Sequence, residues 1–84
     1  MEEAIIDCTQ IQTKEDLHRV FRDTLCFPDW YGNNLDALYD CLTEINHQTQ
    51  ITFYGLDALD FADGFRDTLL DAEANNFWLH ISFT

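Results

Sequence analysis

A row of side chains in the middle of the sequence has the spacing of one helical face. Its carboxylates stand four residues apart, so on a helix they would project from successive turns of the same side. Paired carboxylates can act as general acid and base, can hold a divalent cation when a third joins them, or can present negative charge to a basic partner. The row consists of Asp36, Tyr39, Asp40, Thr43 and Glu44, and Asp71 is the candidate third carboxylate.

The electrostatics of this row favour a basic partner. Asp36 would lie in the first turn of a helix, where the macrodipole stabilises an acid by ~0.3–1 kcal/mol. Asp40 and Glu44 have no such explanation, because each stands four residues from a like charge, at a cost of ~0.2–0.5 kcal/mol per pair. Charge that is kept at a cost in stability indicates a recognition face, and a merely solvated face is the alternative.

The groups that most enzymes need are absent or scattered. There is no HExxH motif, no glycine-rich phosphate loop and no cluster of Cys and His at metal-ligand spacing. An odd number of cysteines without a CxxC pair favours reduced thiols over disulfides. We therefore expect no catalytic residue, no metal and no cofactor. The scattered groups are His18, His47 and His80, and Cys8, Cys26 and Cys41.

Net charge narrows the class of partner. The chain has 16 acidic and 4 basic residues, a formal net charge of −12, and Arg66 is the one base in residues 23–84. Direct binding to nucleic acid or to an anionic membrane is disfavoured, because both require a basic surface. An anionic body attracts a basic protein at long range, although solubility or adaptation to salt would explain the composition equally well.

The beginning of the sequence lacks the pattern of an export signal. Glu2 and Glu3 stand where such a signal has basic residues, and no apolar run reaches the eighteen residues of a membrane span. Together with reduced thiols, this predicts a cytoplasmic protein.

Changes of hydrophobic periodicity divide the chain into strands and helices. Thr13 and Asp16 have the spacing of a capping box, and Pro28 is expected to end the helix that follows them. Either Asn33 or Asn34 can cap the second helix. The predicted order is a strand at 4–7, a helix from 14 to 27, a helix at 35–43, a strand at 51–54, a short helical turn at 56–59, a helix from 61 to about 75, and a strand at 77–84.

The buried faces of these elements define the expected fold. The last strand alternates strictly, with Phe77, Leu79, Ile81 and Phe83 on the face expected to be buried. Strands that are covered on one side and separated by helices pair in parallel, with the helices mostly on a single face. We expect an α/β fold of two layers that forms one domain over residues 1–84.

Two aromatic residues fall in the loop before the second helix. Trp30 and Tyr31 are expected to be exposed there, as is Tyr39 within the acidic row. Aromatic side chains beside acids are common anchors of protein interfaces, although the edge of a core explains them too.

The stretch from Pro28 to Thr43, with Asp16-Leu17-His18 before it, resembles the barstar family, the intracellular inhibitors of barnase-like bacterial ribonucleases. It contains the run YGxNLDALxDCLT, which is long and almost gapless, and the order of strands and helices is similar along the whole chain. The resemblance implies a three-stranded parallel sheet with helices, and a protein that blocks a nuclease active site.

The resemblance also implies roles for individual residues. The aspartate that matches Asp40 enters the phosphate-binding site of the nuclease and pairs with basic groups there, supported by the residue that matches Asp36. A carboxylate can replace a phosphate because both anions are recognised by fixed charged donors. An acid at Asp71 completes the interface. The other implied contact positions are Trp30, Gly32, Asn34, Leu35, Tyr39 and Thr43.

Several positions differ from the family pattern. Trp30 stands in place of Tyr, Tyr39 in place of Trp, Asn33 in place of Glu, and Glu44-Ile45 in place of Gly-Trp. We expect different contacts at the interface rim, in a one-to-one complex of a monomer with a barnase-like ribonuclease or another toxin nuclease. An acidic module for some other basic protein and a carboxylate metal enzyme are the alternatives.

Overall fold

The computed structural model describes residues 1–84, which form three strands and three helices. In order they are β1 (Glu2–Asp7), α1 (Lys14–Leu25), α2 (Leu35–Thr43), β2 (Thr49–Tyr54), α3 (Ala62–Ala74) and β3 (Leu79–Phe83). Short 3-10 turns at Cys8–Gln10 and Leu56–Ala58 follow β1 and β2. None of the helices combines the length and the hydropathy that a membrane span needs.

The strands form one parallel sheet in the order β1-β2-β3. Ala4 pairs in register with Ile51, which pairs in turn with Ile81. The α1–α2 segment connects β1 to β2, and α3 connects β2 to β3. This confirms the α/β class and the three-stranded parallel sheet expected from the sequence.

One face of the sheet forms the core together with the helices. Ile6 and Phe53 are completely buried on that face, whereas Ile5 on the opposite face is 64% exposed. Phe21 of α1 contacts Phe53 at a ring-centroid distance of 5.7 Å and Phe65 of α3 at 6.2 Å, so the central aromatic residues join the sheet to two helices. The helices therefore cover a single face, in two layers.

The first helix begins at its predicted cap and ends earlier than proline alone requires. The Thr13 hydroxyl accepts from the Asp16 backbone N–H at 3.1 Å. At the other end Cys26 adopts the left-handed conformation, with φ of 57°, and its N–H donates to the Arg22 carbonyl. The helix is thus stopped by a left-handed cap two residues before Pro28.

The predictions for the ends of the last helix and strand were partly wrong. Phe77 is 81% exposed, because β3 begins only at Leu79 and the preceding turn is fixed by buried Asn76. The Asn76 side-chain amide donates to the carbonyls of Leu42 and Ile45 at 2.8 and 2.9 Å, and this clamp directs the neighbouring ring outward. Residue 61, predicted to be helical, likewise lies in a turn just before α3 begins at Ala62.

Candidate functional site

The start of α2 is set by one asparagine. Asn34 Oδ1 accepts from the Ala37 backbone N–H at 2.7 Å, and its Nδ2 donates to the Gly32 carbonyl at 3.2 Å. Asn33 adopts a positive φ of 53° just before it. Of the two candidate caps, Asn34 is therefore the one used, and it couples the loop to the first turn of the helix.

The buried stripe of α2 determines which side faces out. Leu38 and Leu42 are completely buried and Cys41 nearly so, which holds the helix against the core. Asp36 and Asp40 project from the exposed side, about 6 Å apart along the axis. Neither carboxylate lies within ion-pair distance of a basic side chain. The helix thus presents two uncompensated negative charges on successive turns.

Tyr39 and Thr43 flank the carboxylates but are only half-exposed. Tyr39 was expected to be exposed but is only partly so, because its ring packs partly against the core. The Thr43 hydroxyl donates to the Tyr39 carbonyl at 2.9 Å and lies 3.1 Å from that of Asp40, so it serves the helix backbone. Each retains a partly exposed surface beside Asp40.

The loop separates its two aromatic residues. Trp30 is 66% exposed, as predicted, whereas Tyr31 is 5% exposed, which corrects the prediction for that residue. The Tyr31 ring packs on Phe27 at a centroid distance of 5.0 Å, and its hydroxyl lies 2.5 Å from His18 Nδ1. Burial raises the pKa of Tyr31 and lowers the pKa of His18, so both side chains are neutral near pH 7.

The last helix brings further negative charge alongside α2. The two helices pack closely where α3 has no side chain, since a Cβ on Gly64 would lie 3.3 Å from a methyl group of Leu35. Leu35 is therefore half-buried in this contact. Asp67 and Asp71 are exposed on α3, one turn apart. Both members of this helix pair therefore carry exposed carboxylates.

Two comparisons with known proteins bear on the identity of the chain. The sequence profile of the family described as Barstar (barnase inhibitor) matches residues 1–82. The chain belongs to the barstar family. A curated relative in Bacillus subtilis (strain 168), described as "Putative ribonuclease inhibitor YrdF", is 54% identical over 43 residues. This match covers 51% of the chain and 47% of the relative, so it spans about half the length of each.

Sequence reasoning missed one feature of this barstar-family fold. A cleft of about 430 Å³ lies where the first turns of α1 and α3 meet the start of α2. Its walls include His18, Asn34, Asp60 and Phe61, which come from three separate parts of the sequence. No periodicity within one element could have indicated it, because the cleft exists only once the helices are packed.

The structure does not gather metal ligands or activated nucleophiles. No group of three or more His, Cys, Asp or Glu side chains is placed to hold a metal ion, so Asp36, Asp40 and Asp71 do not form the cluster that a metal site would need. Burial raises the pKa of Cys41, with Glu44 and Asp40 adding to the effect, and burial raises the pKa of Cys8 to about 11. Both thiols are therefore protonated at neutral pH.

Proposed function

We propose that this barstar-family protein inhibits a basic bacterial ribonuclease by placing the exposed side of α2 in the enzyme's active site. The observation that carries the proposal is the pair of exposed, unpaired carboxylates of Asp36 and Asp40 on a helix whose other side is fixed in the core. The barstar family and the description of the Bacillus subtilis relative support this class of function.

In this mechanism Asp40 takes the position of a substrate phosphate. An enzyme that cleaves RNA holds its phosphate with fixed cationic donors, and a carboxylate accepts from the same donors. The helix is already folded and clamped before binding, so little conformational entropy is lost when the complex forms. Asp36, one turn away, adds charge that favours the same cationic groups.

The remaining contacts form a rim around this centre. Trp30 is the one aromatic side chain of the loop that is free to anchor a partner, since Tyr31 is buried. The other proposed contact residues are Gly32, Asn34, Leu35, Tyr39, Thr43 and Asp71. We propose a one-to-one complex, formed in the cytoplasm by a monomer that needs no cofactor, metal, nucleic acid or membrane.

Titration of barnase with the protein, with residual RNA cleavage as the readout, tests the proposal. Cleavage should stop at one equivalent, and Asp40→Ala should weaken inhibition strongly. Truncating a charged side chain at the centre of an interface costs roughly 2–8 kcal/mol of binding free energy, and the upper end of this range comes from the barnase–barstar complex itself. Asp67→Asn, which removes one charge from α3 at a position outside the proposed contact residues, should retain stoichiometric inhibition.

Unchanged secondary structure and thermal unfolding of the Asp40→Ala variant would show that it still folds, as expected for an exposed residue. If the folded variant inhibited as well as the natural chain, the phosphate-mimic mechanism would be wrong. Cleavage that continues with excess natural protein would exclude barnase as the target. The same titration against other toxin nucleases would then separate an immunity protein from an acidic binding module.

A further inference from the structure

The cleft at the first turns of the helices adjoins the proposed inhibitory face. Asn34 and Leu35 belong to both surfaces, so a partner seated on α2 would also reach the cleft. Its volume of about 430 Å³ falls within the ~300–1,000 Å³ of typical ligand sites. That space is sufficient for one long side chain from the partner.

Carboxylates dominate the charge of the cleft. Glu15, Asp60 and Asp63 line it, against the single ammonium of Lys14. Glu15 and Asp60 have no ion-pair partner, while Asp63 lies 3.4 Å from Arg66. The unpaired acids therefore favour a positively charged occupant.

The apolar wall of the cleft suits a flat cation. Phe61 and Phe65 line it, with ring centroids 5.8 Å apart and planes tilted by 59°. A guanidinium group is planar, more weakly hydrated than an ammonium, and stacks on aromatic faces while it pairs with a carboxylate. This combination favours arginine over lysine.

The side chain of one buried residue, His18, also lines the cleft. His18 is 4% exposed, and its Nδ1 is taken by the Tyr31 hydroxyl. His18 Nε2 makes no hydrogen bond to the protein. Because no fully buried side-chain nitrogen or oxygen lacks a hydrogen-bond partner, Nε2 is accessible to the solvent in the cleft. In the tautomer with the proton on Nδ1, Nε2 is an acceptor for an incoming N–H.

We propose that the cleft receives an arginine side chain of the ribonuclease bound to α2, with Asp60 pairing the guanidinium and Phe61 stacking on it. This inference rests on the proposed function for its partner, but the cleft's preference for a guanidinium is a property of the isolated chain. The bound arginine would extend the interface beyond α2 and its loop, to the first turns of α1 and α3.

A nuclear magnetic resonance titration of the isotope-labelled full chain with arginine amide tests that preference directly. Saturable shifts are expected at the Phe61 and Gly64 amides and at the His18 ring. Citrulline amide, the neutral isostere, should produce none. Shifts that do not saturate, that fall elsewhere, or that citrulline amide reproduces would overturn the cleft as a guanidinium site.

Two variants with the same net charge test whether arginine amide binds in the cleft. Asp60→Asn should weaken arginine amide binding by roughly twofold to fivefold, the size expected for one partly exposed ion pair. Asp67→Asn changes the charge equally on the nearby helix α3, outside the cleft, and should have a smaller effect. Equal losses in the two variants would mean diffuse attraction rather than a site.

The same variants in the inhibition assay separate this proposal from the proposed function. With the ribonuclease that the chain inhibits, Asp60→Asn should weaken binding more than Asp67→Asn does. If Asp40→Ala abolished inhibition while Asp60→Asn left it unchanged, no partner arginine would enter the cleft and the α2 mechanism would stand. If Asp40→Ala were without effect, the proposed function would fail, and the arginine amide titration would still decide the cleft's preference.

Discussion

His18 is the one histidine that the fold buries, and the residues around it keep it uncharged. Its ring lies 5.0 Å from that of Phe65, and its Nδ1 is hydrogen-bonded to Tyr31. Burial lowers its pKa below the ordinary 6.5, and the nearby Glu15 carboxylate opposes this only in part. Charging this side chain therefore costs more free energy in the folded chain than in the unfolded chain.

The pH dependence of stability should reveal this cost. Because the folded-state pKa is lower, the unfolded chain takes up the proton first as pH falls below 6.5. The stability that neutral His18 contributes is complete above that pH and is lost as pH falls through the folded pKa. A tenfold difference in proton affinity between the unfolded and folded chains corresponds to about 1.4 kcal/mol of this stability.

Urea unfolding of the natural chain and of His18→Gln on both sides of pH 6.5 measures this difference. The natural chain should lose more unfolding free energy on acidification than the variant. His80→Gln, at an exposed position, is the matched control for the loss of one histidine. Identical pH profiles for the natural chain and His18→Gln would contradict the prediction.

At the scale of elements, the two ends of α2 place acids in opposite electrostatic settings. Asp36 is in the first turn, next to the positive end of the helix dipole, whereas Glu44 forms the C-terminal cap, four residues after Asp40. The same carboxylate charge is therefore favourable at one end and unfavourable at the other. The helix carries a destabilising charge that the fold itself does not require.

Neutralising these two residues should shift stability in opposite directions. Asp36→Asn should lower the unfolding free energy by only about 0.3 kcal/mol, because relief of its repulsion with Asp40 offsets part of the lost dipole interaction. Glu44→Gln should raise it by about 0.5 kcal/mol or more, because the dipole and the repulsion with Asp40 both disfavour its charge. The two variants have the same net charge, so a comparison of their denaturant midpoints in one buffer isolates the effect of where on the helix the charge is removed. Shifts of the same sign would mean that overall repulsion, rather than the helix dipole, dominates at α2.

Elements with strong local signals were predictable from the sequence. The bounds of α2 follow from the Asn34 cap and the apolar spacing of Leu38 and Leu42, and the exposure of Asp36 and Asp40 follows from the same periodicity. Their assignment to a nuclease partner did not follow from periodicity and depended on the resemblance to the barstar family.

Features that depend on contacts between elements were not predictable. Tyr31 is buried because His18, thirteen residues earlier, provides a partner for its hydroxyl. Phe77 is exposed because Asn76 is clamped to carbonyl groups at the end of α2 and just beyond it. In each case the deciding contact lies outside the segment whose pattern was considered, so alternation and turn composition could not reveal it.

For the whole molecule, the distribution of charge matters more than any one acid. Of 16 acidic residues, few have basic partners, and the base of the C-terminal region, Arg66, pairs with both Asp57 and Asp63. The exposed carboxylates of α2 and α3 are left uncompensated. The repulsion among them costs stability, but the same field extends into solvent and attracts a cationic protein before contact.

This field should make association with a basic ribonuclease fast and strongly dependent on salt. Charges in water are screened beyond about 10 Å at 0.1 M ionic strength, so added salt removes long-range attraction first and leaves close contacts largely intact. Stopped-flow measurements should show an association rate that falls steeply with salt, and a dissociation rate that changes little.

Comparison of Asp67→Asn with Asp40→Ala distinguishes the contribution of the long-range field to binding from that of direct contacts. It should slow association modestly at low salt and have no effect at high salt, because its charge contributes to the field rather than to the centre of the interface. Asp40→Ala should mainly accelerate dissociation at every salt concentration, since a carboxylate paired at the centre is lost. An association rate independent of salt would show that the net charge of −12 does not guide the encounter, and the excess of acids would then be a matter of solubility alone.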